Sequence, residues 1–440
     1  MKKRKSVLSI LLVFLISTLM TACSSSMSAP NSQTKTGDKK VGKNEKITLT
    51  VWDPYTEPDS GIIMDTIIKN YEKDNPNVSI KRNSMKNEDI RNTIKPALTS
   101  NKGPDLFMYD SGPGYLGVLA KSGLALDLTK YDQQYRWSSN FPKWVNDLVT
   151  INGKRFGIGN EIELIGVYYN KQIFNDLGVE VPKTYEEFLQ ICEKAKAKGL
   201  IPLSFDDKEQ WPAFHLESVF YTAVAGKQKI EKVLNKEEGF DQPVFANALD
   251  TFQKLIKNGY TSKSPLSVSY DDGNKELFSG KAAMRITGTW LASGAIEQMK
   301  DNVGFFLLPS VKPNLPLSAP GGIGSAMVIS SKTKYPEEAA KFLNYMFNKE
   351  SAKVWYEHSK IAPVKIDPDA LNIPALSKDI IKMANSPAGL SYNIDVLMPQ
   401  KVNDVTKNIM QQLIAGKVTG KVVVKEKQRA LDEEIKAGNY

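Results

Sequence analysis

The chain has 440 residues, is 41% hydrophobic and 24% charged, and holds only two cysteines and two histidines. Its formal charge of +9 is unevenly placed: residues 1–46 carry nine Lys/Arg and two Asp/Glu, which leaves 49 basic against 47 acidic side chains in the remaining 394. A nearly neutral body argues against a nucleic-acid binder, two cysteines make no disulfide framework, and two histidines as distant as His215 and His358 make no metal centre. No metal and no cofactor is expected.

The N-terminus sets the compartment. Lys2, Lys3, Arg4 and Lys5 lead into the apolar stretch Val7–Met20, whose 14 residues fall short of the roughly 20 that span a bilayer. This is the pattern of an export signal. Thr21-Ala22-Cys23 then resembles a bacterial lipobox, with Met20 three before the cysteine where Leu is usual. The resemblance implies a lipoprotein signal peptide over 1–22 and an acylated Cys23, for example carrying palmitate, that holds the protein on the extracellular face of the cell membrane. Ordinary secretion with cleavage nearby is the competing reading. Residues 23–46, rich in Ser, Lys, Thr, Gly and Asn, have too little apolar surface to fold and are expected to be a disordered tether.

From Ile47 onward, strand and helix patterns alternate. Ile47–Trp52 is strand-like, Ile62–Asn75 has apolar residues at helical spacing, and Val78–Arg82 is a short strand. A helix starts near Asn87 with Pro96 as an expected kink, and Asp105–Tyr109 follows as a strand. Asn152-Gly153 predicts a hairpin turn. Leu164–Tyr169 is a strand, and Thr184-Tyr185-Glu186-Glu187 is a capping box opening a helix over Tyr185–Ala197, in which Cys192 is a small core residue. Further helices are predicted over Phe245–Asn258, from Pro336 to Phe347, and around Val402, Val405, Ile409 and Leu413. Ala282–Thr287 and Gly304–Leu308 are predicted strands. Alternating strands and helices point to an α/β chain with parallel-type sheets, and nearly 400 residues suffice for two lobes with separate cores.

Ordered motifs then carry a family resemblance. They are Gly103-Pro104-Asp105-Leu106-Phe107, Leu119–Leu124 with Leu126-Asp127-Leu128, and Asn152-Gly153-Lys154-Arg155-Phe156-Gly157-Ile158. Tyr169-Asn170-Lys171-Gln172-Ile173-Phe174, Gly178, Val181–Tyr185, and Phe278–Met284 with Gly288-Thr289-Trp290 complete the series. In this order they resemble the extracellular solute-binding proteins of family 1, the maltose-binding-protein type, over almost the whole mature length. One segment departs from the pattern: Gly420–Val424 replaces the usual acidic run. The resemblance implies a two-lobe periplasmic-binding-protein-like fold (type II) with a ligand cleft between the lobes. Hinge crossings are expected near Asn160–Gly166, Gly321–Ala326 and Ala362–Lys365. The first lobe would combine 47–160 with 326–362, and the second 161–325 with 363–440.

It further implies a monomeric, non-enzymatic protein that binds a carbohydrate and passes it to the transmembrane subunits of an ABC permease. Sugars offer a C–H face to aromatic rings and hydroxyls to carboxylates, in clefts between domains. The candidate ligand contacts are accordingly Asp53, Tyr55, Tyr109, Asp110, Glu161, Glu163, Trp211, Trp290 and Asp395, with Gly321 and Gly322 admitting close backbone approach. Trp290 matches a position that commonly stacks on sugar in the family, and is expected to be the main platform. Trp52, Trp137, Trp144 and Trp355 are assigned to packing. Three other roles compete. Tyr168-Tyr169 resembles the tyrosine pair of ferric-ion binders, although Tyr169 belongs to the family's strand motif. A surface glycosidase would need a catalytic carboxylate pair, and no motif supports one. A sensing lipoprotein that reports its ligand to a signalling receptor would share all of these features.

Overall fold

The computed structural model describes residues 46–440 except 57, 142, 314, 365–371 and 385–388. The expected signal peptide, Cys23, the tether up to Glu45, the end of the third expected crossing at Lys365 and the side chain of Trp144 lie outside the described residues.

Thirteen strands run in chain order through the described residues: β1 Ile47–Asp53, β2 Val78–Ser84, β3 Leu106–Asp110, β4 Thr150–Ile151, β5 Lys154–Arg155, β6 Gly157–Gly159, β7 Ile162–Asn170, β8 Ile201–Ser204, β9 Ala282–Gly288, β10 Val303–Phe306, β11 Ala319–Ile323, β12 Ser325–Ile329 and β13 Leu390–Tyr392. They form two main sheets, one for each α/β lobe. The first has the order β2-β1-β3-β12-β6; the second has β13-β11-β7-β9-β8, with β10 also paired to β7. Pairing within β2-β1-β3 is parallel, and β12 enters antiparallel to β3 and β6. β1 buries Ile47, Leu49, Val51 and Asp53 on alternate positions, the period of a strand with one face in the core. β9 is buried along its entire length, as a central strand covered on both faces must be.

Local signals predicted local structure well. Asn152 and Gly153 take positive φ, 51° and 74°, in the turn joining β4 to β5, as a two-residue hairpin requires. Thr184 and Glu187 form both halves of the capping box on the helix Tyr185–Ala197, and Cys192 is fully buried in its packed face. Trp137 and Trp355 are core residues. Pro96 lies inside the helix Asn87–Thr99, close to its C-terminal end. The atypical segment at Gly420 opens a 17-residue helix, Gly420–Lys436. A Cβ at Gly420 would lie 2.2 Å from the Ala246 carbonyl, so glycine lets this helix start against Pro243–Lys257, where Asp250 accepts the Gly420 N–H at 2.7 Å.

The sheets are linked by very short segments. β6 passes to β7 through Asn160-Glu161, and β11 passes to β12 through Gly324 alone. A third link leaves the helix Lys349–Glu357 through His358–Val364, and there the Ile361 carbonyl accepts the Ile162 N–H at 2.7 Å. Short links at one place hold the ends of both sheets together, and polar residues accumulate there.

Candidate ligand cleft at the sheet crossings

Four rings gather in the second lobe. Trp211 caps the helix Pro212–Ala225, and His215 follows one turn later. Tyr270 opens the helix Tyr270–Phe278, and Trp290 sits in the turn after β9. Ring centroids lie 4.9 Å apart for Trp211–His215, 4.8 Å for Trp211–Tyr270, 4.9 Å for His215–Trp290 and 6.2 Å for Trp211–Trp290. The Trp290 Nε1–H donates to the Tyr270 hydroxyl at 2.7 Å, which fixes the indole plane. Gly288 makes room for it: a Cβ there would fall 1.8 Å from the indole. The Trp211 Nε1–H is buried without a partner. His215 is held neutral, pushed down to about 3 by burial and by Arg91 and Arg285 nearby.

Trp290 also lines a small cavity of about 10 Å³ at the crossings with Glu163, Ile165, Gly321, Gly322, Ile323, Gly324, Asn393 and Val396. The glycines are required there. Gly322 has a φ of +148°, and a Cβ on Gly321 would meet the Glu163 carbonyl at 2.4 Å. A Cβ on Gly324 would meet the Glu163 carboxylate at 1.9 Å. Burial and the adjacent Glu161 carboxylate push Glu163 well above the ordinary carboxylate range. Lys360, on the third link, places Nζ 3.4 Å from Glu161 and 3.3 Å from the Trp290 carbonyl.

On the first lobe, Asp110 at the end of β3 accepts two bonds from Arg91, at 2.7 and 2.8 Å. Tyr109 packs edge-on against Phe107 and Tyr115, and burial raises its hydroxyl to about 12. Asp395 is buried, pushed up to about 6 by burial in spite of Arg91, and its Oδ1 has no hydrogen-bond partner.

The structure therefore brings Trp211 and Trp290 into one cluster, and gathers Glu163, Gly321 and Gly322 with Trp290 around one pocket. Glu161 lies directly behind Glu163, while Asp110 and Asp395 share the field of Arg91. Asp53 stands apart. It is fully buried and engaged by Arg82 at 2.7 and 2.9 Å, by Ser84 at 3.1 Å and by the Tyr55 N–H at 2.9 Å. Tyr55 is likewise enclosed, accepting from Asn160 at 2.5 Å beneath Lys360 and packing on Trp355. Neither residue lines the pocket. Tyr168 and Tyr169 do not converge on an ion: neighbouring strand residues face opposite sides, and Tyr168 bonds the Gly288 carbonyl while Tyr169 packs on Phe174 and Phe306. Sequence reasoning did not identify Arg91, His215, Tyr270, Lys360 or Asn393. His215 had one usable signal, its position four residues after Trp211 on one helix face.

Two α/β lobes joined by short crossings, with rings and acids gathered near the junction, define a solute-binding fold. Residues 66–384 match the family described as bacterial extracellular solute-binding protein, and the chain belongs to that family. The multiple sugar-binding protein of Streptococcus mutans is 27% identical over 369 residues, covering 79% of each chain. A maltooligosaccharide ABC transporter solute-binding lipoprotein of Streptococcus pneumoniae is 24% identical over 444 residues, covering 96% of each. Among solved structures, a chitin oligosaccharide binding protein superposes with a TM-score of 0.78 at 21% identity, over 89% of this chain and all of its own.

Proposed function

We propose that this protein is the carbohydrate-binding component of an ABC importer, anchored by lipid at Cys23, and that it hands an oligosaccharide to the permease's transmembrane subunits. The observation that carries the reading is the four-ring cluster of Trp211, His215, Tyr270 and Trp290 next to a pocket that presents Glu163. Rings accept the apolar face of a pyranose and carboxyl groups meet its hydroxyls. Relatives named for sugars and maltooligosaccharides support it, and the one named as a lipoprotein supports the anchor. In this reading, 47–160 with 326–362 form one lobe, 161–325 with 363–440 the other, and they close around ligand by bending at the crossings.

Calorimetry of the purified protein against mono- and oligosaccharides tests the reading: a tight ligand is expected, recovered chemically intact. Cleavage of the sugar, or tight binding of amino acids or metal ions only, overturns it. Loss of sugar uptake in a deletion strain is expected of an importer; unchanged uptake with a lost transcriptional response assigns a sensing role instead. Cys23→Ala should abolish fatty-acid labelling and release the protein, and unchanged labelling refutes the anchor.

A further inference from the structure

Resting on the reading of the cleft as a carbohydrate site, we infer that it rejects negatively charged sugars and takes ligands that bring hydrogen-bond donors without an anion, with Glu163 and Asp395 setting this preference. The inference comes from matching each charge around the cleft with its partner. At the crossings, one cation serves two acids: Lys360 reaches Glu161 at 3.4 Å, and Glu163 lies against Glu161 with no cation of its own. On the other side the pattern repeats. Arg91 gives its Nε and Nη2 to Asp110 and its Nη1 to Glu88 at 3.2 Å, leaving Asp395 in the field of both Arg91 and Asp110 with Oδ1 unpartnered.

Other cations nearby are occupied. Lys427, behind Asp395, bonds Glu217 at 2.6 Å with both side chains buried. Arg285, beneath Tyr270, bonds Asp206 at 2.5 Å. Arg82 holds Asp53, and Lys86 holds Asp271 at 2.5 Å. His215 is neutral. Among the described residues around the cleft, each of these cations already has an acid, whereas Glu163 and Asp395 have none to themselves. A sugar hydroxyl or an ammonium group answers that deficit. The surroundings that keep Glu163 from ionising also disfavour a uronate carboxylate, which would find none of these cations free to receive it, and selectivity arises from such an unpaired charge as much as from attraction.

The test uses full-length protein in mild detergent and calorimetry with matched probes: maltotriose and α-1,4-galactotriose, their C6-oxidised uronates, and the methyl esters of those uronates. The ester keeps the added bulk of the carboxyl group and removes its charge. For whichever neutral trisaccharide binds, the uronate should bind at least about a hundredfold more weakly, and the ester should recover at least tenfold of that. In Glu163→Gln/Asp395→Asn, the neutral-to-uronate ratio should narrow at least tenfold. A uronate that binds as tightly as its neutral parent overturns this inference and leaves the sugar-binding reading standing. An ester no better than the acid shows that the rejection is steric, and also overturns it. If no neutral sugar, in this set or the wider panel, binds at all, both readings fall.

Discussion

Trp290→Ala is the substitution from which the cleft geometry is most exposed to refutation. The indole is only partly buried. It lies over Gly288, its Nε1–H is fixed on Tyr270 at 2.7 Å, and its ring meets His215 at 4.9 Å. Truncation removes a flat apolar face next to the pocket, and losses of this kind at aromatic hot spots reach about 2 kcal/mol or more. At roughly 1.4 kcal/mol per tenfold in Kd, affinity for the sugar should fall by about thirtyfold. Tyr270 also loses a neutral hydrogen bond, worth ~1 kcal/mol, which loosens the ring cluster further. Trp290→Phe keeps a flat ring and forfeits only the N–H, so it should cost markedly less. Titration calorimetry gives the affinities, and thermal denaturation checks the fold. A sharply lowered melting temperature with unchanged affinity would show that the ring is core and that the ligand binds elsewhere.

Four other outcomes are open to direct measurement. Asp110→Asn and Glu163→Gln should each weaken sugar binding less than Trp290→Ala, because shape and part of the acceptor capacity survive; calorimetry ranks them. Gly324→Ala places a methyl group 1.9 Å from a Glu163 oxygen, so it should weaken binding and lower the melting temperature together, and adding Glu163→Ala should restore the melting temperature. Lys427→Met strands the fully buried Glu217, at a cost of about 3–5 kcal/mol measurable by urea unfolding, whereas Lys427→Met/Glu217→Gln should recover much of the loss. Asp395 sits at about 6 in the folded protein against 3.8, so the native state binds its proton more tightly than the unfolded chain does. Its contribution to stability therefore declines as pH rises from about 4 to about 6, by up to ~3 kcal/mol at ~1.4 kcal/mol per unit. Asp395→Asn should accordingly stabilise the protein more at pH 7.5 than at pH 4, and an equal effect at both would refute the assignment.

What the sequence disclosed follows from how far apart the interacting residues lie. The capping box at Thr184, the hairpin at Asn152-Gly153 and the buried stripe around Cys192 depend on residues within one or two turns of each other, and all were legible. Trp211 and Trp290 were found through motif order and strand-end position. Their partner Tyr270 was not, because a tyrosine opening an exposed amphipathic helix carries no local mark of the tryptophan it bonds 20 positions later. Lys360 and Glu161 are 199 positions apart, and only the fold brings them together. Asp53 shows the opposite limit. The end of a parallel strand suits a ligand-binding acid and a buried ion pair equally well; what decides is Arg82 on β2, which the register sets beside β1.

The position of Glu163 ties ligand chemistry to the mechanics of the crossings. It stands two residues after Asn160-Glu161, the link from β6 to β7, and its carboxylate rests against Gly324, the link from β11 to β12. Its neighbour Glu161 holds Lys360 on the third link, and Lys360 in turn bonds the carbonyl of Trp290. A hydroxyl that bonds Glu163 from the pocket therefore acts on all three links and on the ring platform through one connected set of polar contacts. A hydrogen bond between neutral groups is worth about 0.5–1.5 kcal/mol, enough to change the ratio of two lobe arrangements by roughly two- to tenfold if it forms in only one of them. In the proposed importer, the same carboxyl group that recognises the sugar would thereby bias closure, without any separate relay between the pocket and the hinge.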